Sequence, residues 1–418
     1  MLTRKIETEI IKWLKNSKTA LLIDGARQVG KTTTIEKVLR EQGCDFVTFN
    51  LLEDKSFRDM LSNIENISKN EFLENLTAST TQNLTKGKTI IFIDEIQICK
   101  ELLTIVKFLV QEGSYRYIFS GSVLGITLQN LRSAPVGYLS IEKMYPMDFE
   151  EFTKALGTKQ ETIDCAMSSF NSLKPVPEIV HTKLMENFKK YLVIGGMPAA
   201  VQSFVENRDY NEVHKIHQNI IEMNKNDFAK YQNNDKKLKL MAAYELIPSE
   251  LNGQNKRYVF KDLNSSFRFE RYESTFEWFS AAEVAIPIYN VASLEMPLIR
   301  SRKSTLFKLF LNDVGLLTSM YGIHTIRKII NKESGINFGA LYENYVAQEL
   351  HAHGYEGYYY NSKKFGELDF VIEEDNKVIP IEVKSGKDYL RHCALNNVMS
   401  NKSLDIEKAF VFTNDNVS

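Results

Sequence analysis

The segment GARQVGKTT, Gly25 to Thr33, determines how the rest of this sequence is interpreted. It satisfies the pattern G-x-x-x-x-G-K-[S/T], and it lies between an apolar run at 20–23 and a helical pattern at 33–39. A phosphate-binding loop requires this context, because a buried strand has to deliver the chain to a helix N-terminus. The segment therefore predicts a nucleotide site, and an ordinary glycine-rich turn is the weaker interpretation.

The chemistry of phosphate binding accounts for the residue types in this loop. Glycines let backbone N–H groups turn inward around phosphate oxygens, and the helix N-terminus adds a favourable positive potential. We expect the Lys31 ammonium to reach the β- and γ-phosphates and the Thr32 hydroxyl to take a place on Mg²⁺. The predicted nucleotide-binding residues are Gly25, Ala26, Arg27, Gln28, Val29, Gly30, Lys31, Thr32 and Thr33.

Two carboxylates, Asp94 and Glu95, end an apolar run at 89–93. A run of this kind is typical of a buried parallel strand, and the carboxyl ends of such strands line the crevice where open α/β sheets bind ligands. We expect Asp94 to hold Mg²⁺ through its water shell and Glu95 to orient or deprotonate the attacking water. A later buried strand at 115–119 leads into Ser120, which either senses the γ-phosphate or caps a turn.

Composition and charge limit the class of protein. A chain of 418 residues predicts two to four domains, and its net charge of −1 gives no general support to nucleic-acid binding. The four cysteines lie far apart without metal-ligand spacing, which predicts reduced thiols in a cytoplasmic protein. Residues 1–18 predict a charged amphipathic helix rather than a signal peptide, and no apolar run is long enough to predict a membrane span.

Four segments, taken in order, carry a family resemblance: DGARQVGKTT at 24–33, IIFIDEIQ at 90–97, IFSGSVLG at 118–125 and MYPMDFEEF at 144–152. With them the chain resembles the bacterial and archaeal AAA-type ATPases that carry the C-terminal domain of unknown function 4143 (DUF4143). The resemblance covers the first 155 residues, and its C-terminal signature returns near residue 313.

The resemblance implies an α/β architecture in four parts. These are a P-loop NTPase domain with a parallel sheet at 1–150, a helical lid at 151–235, a winged-helix-like module at 236–304 and a nuclease-like α/β domain at 305–418. The GGMP segment at 195–198 predicts a tight turn in the lid, either purely structural or a conformational pivot.

One departure from the family concerns an arginine. Many relatives have a Gly-Arg pair where this chain has Gly137-Tyr138, and the nearest arginine is Arg132. An arginine finger would stabilise charge on the transferring phosphoryl group. Arg132 is therefore the candidate finger, with a solvated helix charge as the other interpretation.

A second candidate site lies in the C-terminal part of the sequence. Asp369, the pair Glu382 and Lys384, and Glu343 on the preceding helix resemble the PD-(D/E)xK nuclease core. Glu382 and Lys384 share one strand face because the side-chain period of a strand is two. The resemblance implies that Asp369 and Glu382 bind one Mg²⁺, that Glu343 completes its shell, and that Lys384 orients or activates water. Binding without cleavage is an equal alternative.

The sequence thus predicts a cytoplasmic protein that uses ATP and Mg²⁺ and hydrolyses ATP to control a C-terminal nuclease-like or nucleic-acid-binding domain. The alternative is an ATP-dependent switch whose C-terminal domain recognises nucleic acid or protein without cutting. A third interpretation is a toxin-like or defence-like partner protein whose ATP site only controls assembly. DNA or RNA is the expected partner of the C-terminal domains, a homo-oligomer is left open and no membrane partner is expected. Because relatives are expected to have a further strand after residue 412, the sequence is expected to be a shortened form.

Overall fold

The structure is a computed structural model that describes residues 2–61, 64, 68–122, 137–231, 234–253, 256–258, 273–331, 333, 338–386 and 392–416. The chain divides into two units. The N-terminal unit consists of Leu2–Tyr145 with Ala281–Glu283, and the C-terminal unit consists of Pro146–Ser280 with Val284–Ser418. Within the described residues, no helix combines the length and the apolar character needed to cross a bilayer.

The N-terminal unit alternates helices with short strands. Its elements are α1 (Ile6–Asn16), β1 (Ala20–Asp24), α2 (Lys31–Glu41), β2 (Phe46–Asn50), α3 (Lys55–Leu61), α4 (Lys69–Ala78), β3 (Ile90–Asp94), a 3₁₀ turn (Ile96–Cys99), α5 (Leu102–Glu112), β4 (Arg116–Gly121) and β5 (Leu139–Lys143).

The five strands form one parallel sheet in the order β2-β3-β4-β1-β5. All five residues of β1 and of β3 are buried, as the apolar runs predicted. Register pairs Asp24 with Gly121 and Asn50 with Asp94, so the carboxyl ends of four strands lie at one edge. The predicted α/β class with a parallel sheet is confirmed, and this edge is where open sheets bind ligands.

Side-chain alternation along the strands divides the core of this unit into two layers. Leu22 of β1, Ile91 of β3 and Phe119 of β4 belong to one buried cluster, whereas their strand neighbours Leu21 and Phe92 belong to the other. Burying one such side chain contributes about 1.5–3 kcal/mol. The two layers therefore fix the positions of the strand ends that carry the polar residues.

The C-terminal unit combines a helical segment with a second sheet. Its elements are α6 (Phe149–Ala155), α7 (Gln160–Asn171), α8 (Glu178–Ile194), α9 (Pro198–Asn207), α10 (Tyr210–Tyr231), α11 (Asn234–Asn252), α12 (Glu273–Ala281, whose last residue belongs to the N-terminal unit), β6 (Ala285–Val291), β7 (Arg302–Leu311), α13 (Val314–Met320), α14 (Ile323–Ile330), α15 (Phe338–Ala352), β8 (Tyr358–Ser362), β9 (Gly366–Glu374), β10 (Lys377–Val383), α16 (Cys393–Met399) and β11 (Phe410–Phe412). A 3₁₀ turn (Leu298–Ser301) lies between β6 and β7.

The second sheet has six strands in the order β11-β10-β9-β8-β6-β7 and is mixed. The β6–β8 and β10–β11 pairs are parallel, and the other three pairs are antiparallel. The boundary expected between residues 304 and 305 falls inside β7, so the sheet begins earlier in the chain than the nuclease-like segment we delimited. The cause is non-local pairing, since β6 lies next to β8 rather than at the end of a separate module.

The winged-helix-like module stays a prediction, because much of it falls outside the described residues. Residues 259–272 are among those not described, and they include Arg268 and Arg271, two positively charged residues of this segment. The described part of 236–304 contains helices α11 and α12 and strand β6.

The GGMP turn is held tightly by two neighbouring segments. Asp313 caps α13 by accepting the Leu316 N–H at 3.0 Å, and its other carboxylate oxygen accepts the Gly196 N–H at 2.5 Å. A Cβ at Gly196 would lie 2.0 Å from the Met147 carbonyl oxygen, and Gly195 has φ of +65°. The contacts therefore favour the structural interpretation of this turn over a pivot.

Gly196→Ala is expected to destabilise the C-terminal unit by more than about 3 kcal/mol, because the new methyl group meets backbone rather than a flexible side chain. Gly386→Ala is the matched control, since among the described residues no atom outside its chain neighbours lies within 4 Å of the Cβ position there. Urea denaturation measures both free energies of unfolding. Equal stabilities in the two variants would show that the turn relaxes freely.

Candidate nucleotide site

The predicted phosphate loop lies between β1 and α2, and its backbone geometry requires glycine at two positions. A Cβ at Gly25 would lie 2.1 Å from the Met144 carbonyl oxygen, so a side chain there cannot be accommodated without moving the backbone. Gly30 has φ of +92° and ψ of +22° and stands at the N-cap of α2. Gln28 also has a positive φ, 63°, so the loop holds a backbone curvature that ordinary turns avoid.

Lys31 begins α2, and its side chain folds back into the loop. Its Nζ donates to the carbonyl oxygens of Gly25 at 2.9 Å and Ala26 at 2.7 Å, and only 8% of the residue is exposed. Burial lowers the pKa of Lys31 to about 8, although the carboxylates of Glu95 and Asp24 oppose this shift. The ammonium is thus held by weak neutral acceptors inside the loop, and an anionic phosphate oxygen would be a stronger partner.

The affinity of this site for ATP is expected to fall as the pH rises above about 8. A bound phosphate favours the charged form of Lys31, so binding above its free pKa requires uptake of one proton, and affinity declines by up to about tenfold per pH unit. Calorimetric titration between pH 7 and 9.5 measures this slope. In Lys31→Ala the slope should disappear, and an unchanged slope would assign the proton to another group.

Asp94, at the end of β3, is the centre of the polar network beside the loop. It is 2% exposed, and its Oδ2 accepts the Thr32 hydroxyl at 2.7 Å. Its Oδ1 accepts the Ser120 hydroxyl and the Glu95 backbone N–H, the latter at 3.0 Å. The side-chain amide of Asn50 reaches Oδ2 at 3.5 Å. Four donors thus fix the orientation of one carboxylate.

This donor set fits a magnesium ion. A hydroxyl oxygen and a carboxylate oxygen from Thr32 and Asp94 are hard ligands of the kind that Mg²⁺ prefers, and they lie 2.7 Å apart. Mg²⁺ usually keeps several waters and also binds substrate phosphates, so a site with two protein oxygens is sufficient. Ser120 donates to Asp94, and its hydroxyl therefore supports the predicted metal ligand rather than standing free at the strand end.

Glu95 follows Asp94 in a left-handed conformation, with φ of 60° and ψ of 42°. This conformation is costly for a residue with a side chain and is common at functional sites. The Glu95 carboxylate accepts a hydrogen bond from the Gln97 side-chain amide, and Gln97 Oε1 accepts the Ser122 N–H at 3.2 Å. Gln97 therefore ties the expected base to the carboxyl end of β4.

Gln97→Leu is expected to lower the turnover of ATP by about tenfold while leaving its KM within about twofold. The leucine removes a hydrogen bond to the charged Glu95, which is worth roughly 1.5–3 kcal/mol. KM should change little because we expect no contact between Gln97 and the nucleotide. Steady-state kinetics separate kcat from KM. A change confined to KM would show that Gln97 acts on nucleotide binding instead.

The sequence did not single out Asn50 or Gln97. Asn50 ends β2 directly beside Asp94 in the sheet, and Gln97 is the last residue of the IIFIDEIQ segment. The position of Asn50 at the end of a predicted strand is a sequence signal that indicates it as a site residue. The contact of Gln97 with Glu95 has no such signal, because it depends on the turn that follows Glu95. Arg132, the candidate arginine finger, lies outside the described residues.

The second predicted site also comes together in space, within the C-terminal unit. Asp369 on β9 accepts the Val383 N–H of β10 at 2.8 Å, and Lys384 Nζ lies 2.7 Å from Glu382 Oε1. Glu343 on α15 is 2% exposed and pairs with Lys308 Nζ at 3.4 Å.

Lys308, on β7, was not predicted. It is fully buried, and besides Glu343 its Nζ lies 3.0 Å from Glu367 Oε1 and 4.0 Å from Asp369 Oδ1. Burial alone would lower the pKa of Lys308, but the surrounding carboxylates raise it above its usual value. Burial raises the pKa of Asp369 to about 7, with Glu343 adding to this shift and Lys308 opposing it.

A third cluster has a simpler explanation. In the described part of the chain, only Asp148, Glu349 and His353 form a group of three potential metal ligands within 4.8 Å of one another. Asp148 Oδ1 caps α6 by accepting the Glu151 N–H at 2.8 Å, and Glu349 Oε1 accepts the Phe149 N–H at 3.0 Å. The two carboxylates converge because both bind the N–H groups at the start of α6.

The strand-to-helix loop, the carboxylate at the end of β3 and the sheet order together define a P-loop nucleotide-binding domain. Residues 17–153 match the family model of an AAA domain, and residues 338–417 match that of DUF4143. The chain therefore carries an AAA domain of the P-loop ATPase class and a C-terminal DUF4143 domain. Residues 185–327 match a further domain of unknown function, DUF8612.

Solved structures were matched at low identity and with TM-scores under 0.5. The Walker-type ATPase of Pyrococcus abyssi is 14% identical, with 77% of this chain and 96% of that chain covered and a TM-score of 0.45. Cdc6p from Pyrobaculum aerophilum is 13% identical, with 78% and 94% covered and a TM-score of 0.29. No curated protein sequence is similar enough to count as a relative. The class assignment therefore depends on the family models and on the strand order.

Proposed function

We propose that this protein binds ATP with Mg²⁺ at the phosphate loop, hydrolyses it, and uses the cycle to control its C-terminal domain. The observation that carries the proposal is the hydrogen bond between the Thr32 hydroxyl and Asp94 Oδ2 at 2.7 Å. It joins the loop to the acid at the end of β3, at the edge of the sheet where ligands bind.

The residues have distinct tasks in this proposal. Lys31 binds the β- and γ-phosphate oxygens as a point charge, exchanging the carbonyl oxygens of Gly25 and Ala26 for phosphate. Thr32 and Asp94 hold Mg²⁺, which when bound neutralises charge on the phosphates. Glu95 orients the attacking water and accepts its proton.

A second candidate concerns the C-terminal domain, which either cleaves nucleic acid or only binds a partner. The ion pairs of Lys308 with Glu343 and Glu367 favour binding without cleavage, because these carboxylates already have a cation. DNA, RNA and protein are the candidate partners. Described lysines such as Lys237 and Lys239 provide some positive charge for a nucleic acid.

Two assays on the full chain test the proposal. Phosphate release from ATP is measured with Mg²⁺ or EDTA, in the absence and in the presence of DNA or RNA, and plasmid cleavage is measured under the same conditions. We expect Mg²⁺-dependent hydrolysis whose rate changes with the partner of the C-terminal domain, and an intact plasmid. Plasmid cutting that requires Asp369 and Glu382 would instead support the nuclease candidate.

A further inference from the structure

The nuclease-like core of the C-terminal unit contains four carboxylates and three lysines. The acids are Glu343, Glu367, Asp369 and Glu382, and the cations are Lys256, Lys308 and Lys384. A divalent cation in a PD-(D/E)xK core has to lie where the acids of the two strands and of the helix converge. The test of fit is therefore whether that position is open to a metal ion.

Lys308 lies among three of these acids. Its ammonium is completely buried and lies within 4.0 Å of carboxylate oxygens from α15 and from two residues of β9. A second lysine, Lys256, pairs with the other oxygen of Glu343. Because the acids of the helix and of β9 already have lysine partners, a divalent ion bound to them would have to displace a buried, paired ammonium group.

Glu382, the acid on β10, also already has a lysine partner. Its Oε1 is paired with Lys384 at 2.7 Å, and its buried Oε2 has no hydrogen-bond partner among the described residues. Mg²⁺ can bind through two protein oxygens, as at Thr32 and Asp94, but there the Asp94 oxygen has a neutral hydroxyl donor. In this core Glu343 and Glu382 are paired with ammonium groups that the ion would have to displace. The donor set of this core therefore does not fit the metal that the nuclease resemblance implies.

We propose that the Lys308 ammonium takes the place of the divalent cation in this core, so that the DUF4143 domain is a metal-free binding module. The lysine joins α15, β7 and β9 through charge, as a structural metal would, and no phosphodiester is cleaved there. This inference does not depend on ATP hydrolysis in the N-terminal unit, and each can fail without the other.

The test measures Mn²⁺ binding to the nucleotide-free full chain by electron paramagnetic resonance. The signal of free Mn²⁺ decreases as the ion becomes bound. The variants are Lys308→Met, which keeps side-chain length without charge, Asp369→Asn, and the double variant that combines the two. Lys303→Met is the matched control, since Lys303 lies exposed on the same strand. A thermal melt with and without Mn²⁺ follows folding in parallel.

We expect wild type and Lys303→Met to show no Mn²⁺ binding that depends on Asp369. Lys308→Met should gain one Mn²⁺. If the uncompensated carboxylates unfold this variant, Mn²⁺ should restore its folded state. In the double variant, Asp369→Asn should abolish the gain. Wild-type binding that is lost in Asp369→Asn overturns the proposal. A folded Lys308→Met variant that binds no Mn²⁺ also overturns it, because the lysine would then not occupy a cation site.

Discussion

Replacing Lys31 with alanine is expected to lower the affinity for ATP by about 100-fold or more. The ammonium is the charge placed to meet the β- and γ-phosphates, and the loss of a hydrogen bond between charged groups costs about 3 kcal/mol. No other lysine lies in the loop to replace it. Isothermal titration calorimetry with ATP and Mg²⁺ measures the change directly.

Lys18→Ala is the matched control for this prediction, because it removes the same charge from an exposed position outside the loop. Its affinity for ATP should equal that of the wild type. If Lys31→Ala also binds ATP as the wild type does, the phosphate-loop assignment is wrong and the segment is only a turn.

The second large effect is expected at Glu95. Glu95→Gln keeps the shape of the side chain and loses its charge and basicity, so ATP should still bind while turnover falls by about 10²–10⁴-fold. The hydrogen bond from the Gln97 amide shows that the carboxylate is held in place, and an amide there presents either a weaker acceptor or a competing donor.

Single-turnover hydrolysis separates the chemical step from binding and product release. Glu41→Gln, an exposed position at the end of α2, is the control for a general change in charge. Hydrolysis at the wild-type rate in Glu95→Gln would mean that Glu95 is a structural carboxylate and that another group guides the water.

The nucleotide site was largely predictable because its signals are local. The loop spacing places Lys31 and Thr32 at a helix N-terminus, and an apolar run followed by Asp94 and Glu95 requires a buried strand with acids at its end. The partner of Ser120 was not predictable, because a hydroxyl at a strand end reaches whichever acceptor the neighbouring strand presents.

The C-terminal core shows where sequence reasoning reached its limit. The period of two along the predicted strand placed Glu382 and Lys384 on one face. The structure ends β10 at Val383, one residue before Lys384, and places the two ionic groups 2.7 Å apart. Lys308 carries only a weak local signal, since its neighbours are apolar and its burial depends on β7 pairing with β6 and packing against α15. A charged residue in an apolar run was the one available sign of a buried ion pair.

The most direct test of the central claim is phosphate release from ATP by the purified full chain with Mg²⁺ and with EDTA, beside Glu95→Gln. We expect steady release with Mg²⁺, its loss in EDTA, and a rate at least about 100-fold lower in the variant. Release that is equal in wild type and Glu95→Gln, or that is unaffected by EDTA, would contradict the proposed ATP hydrolysis at this site.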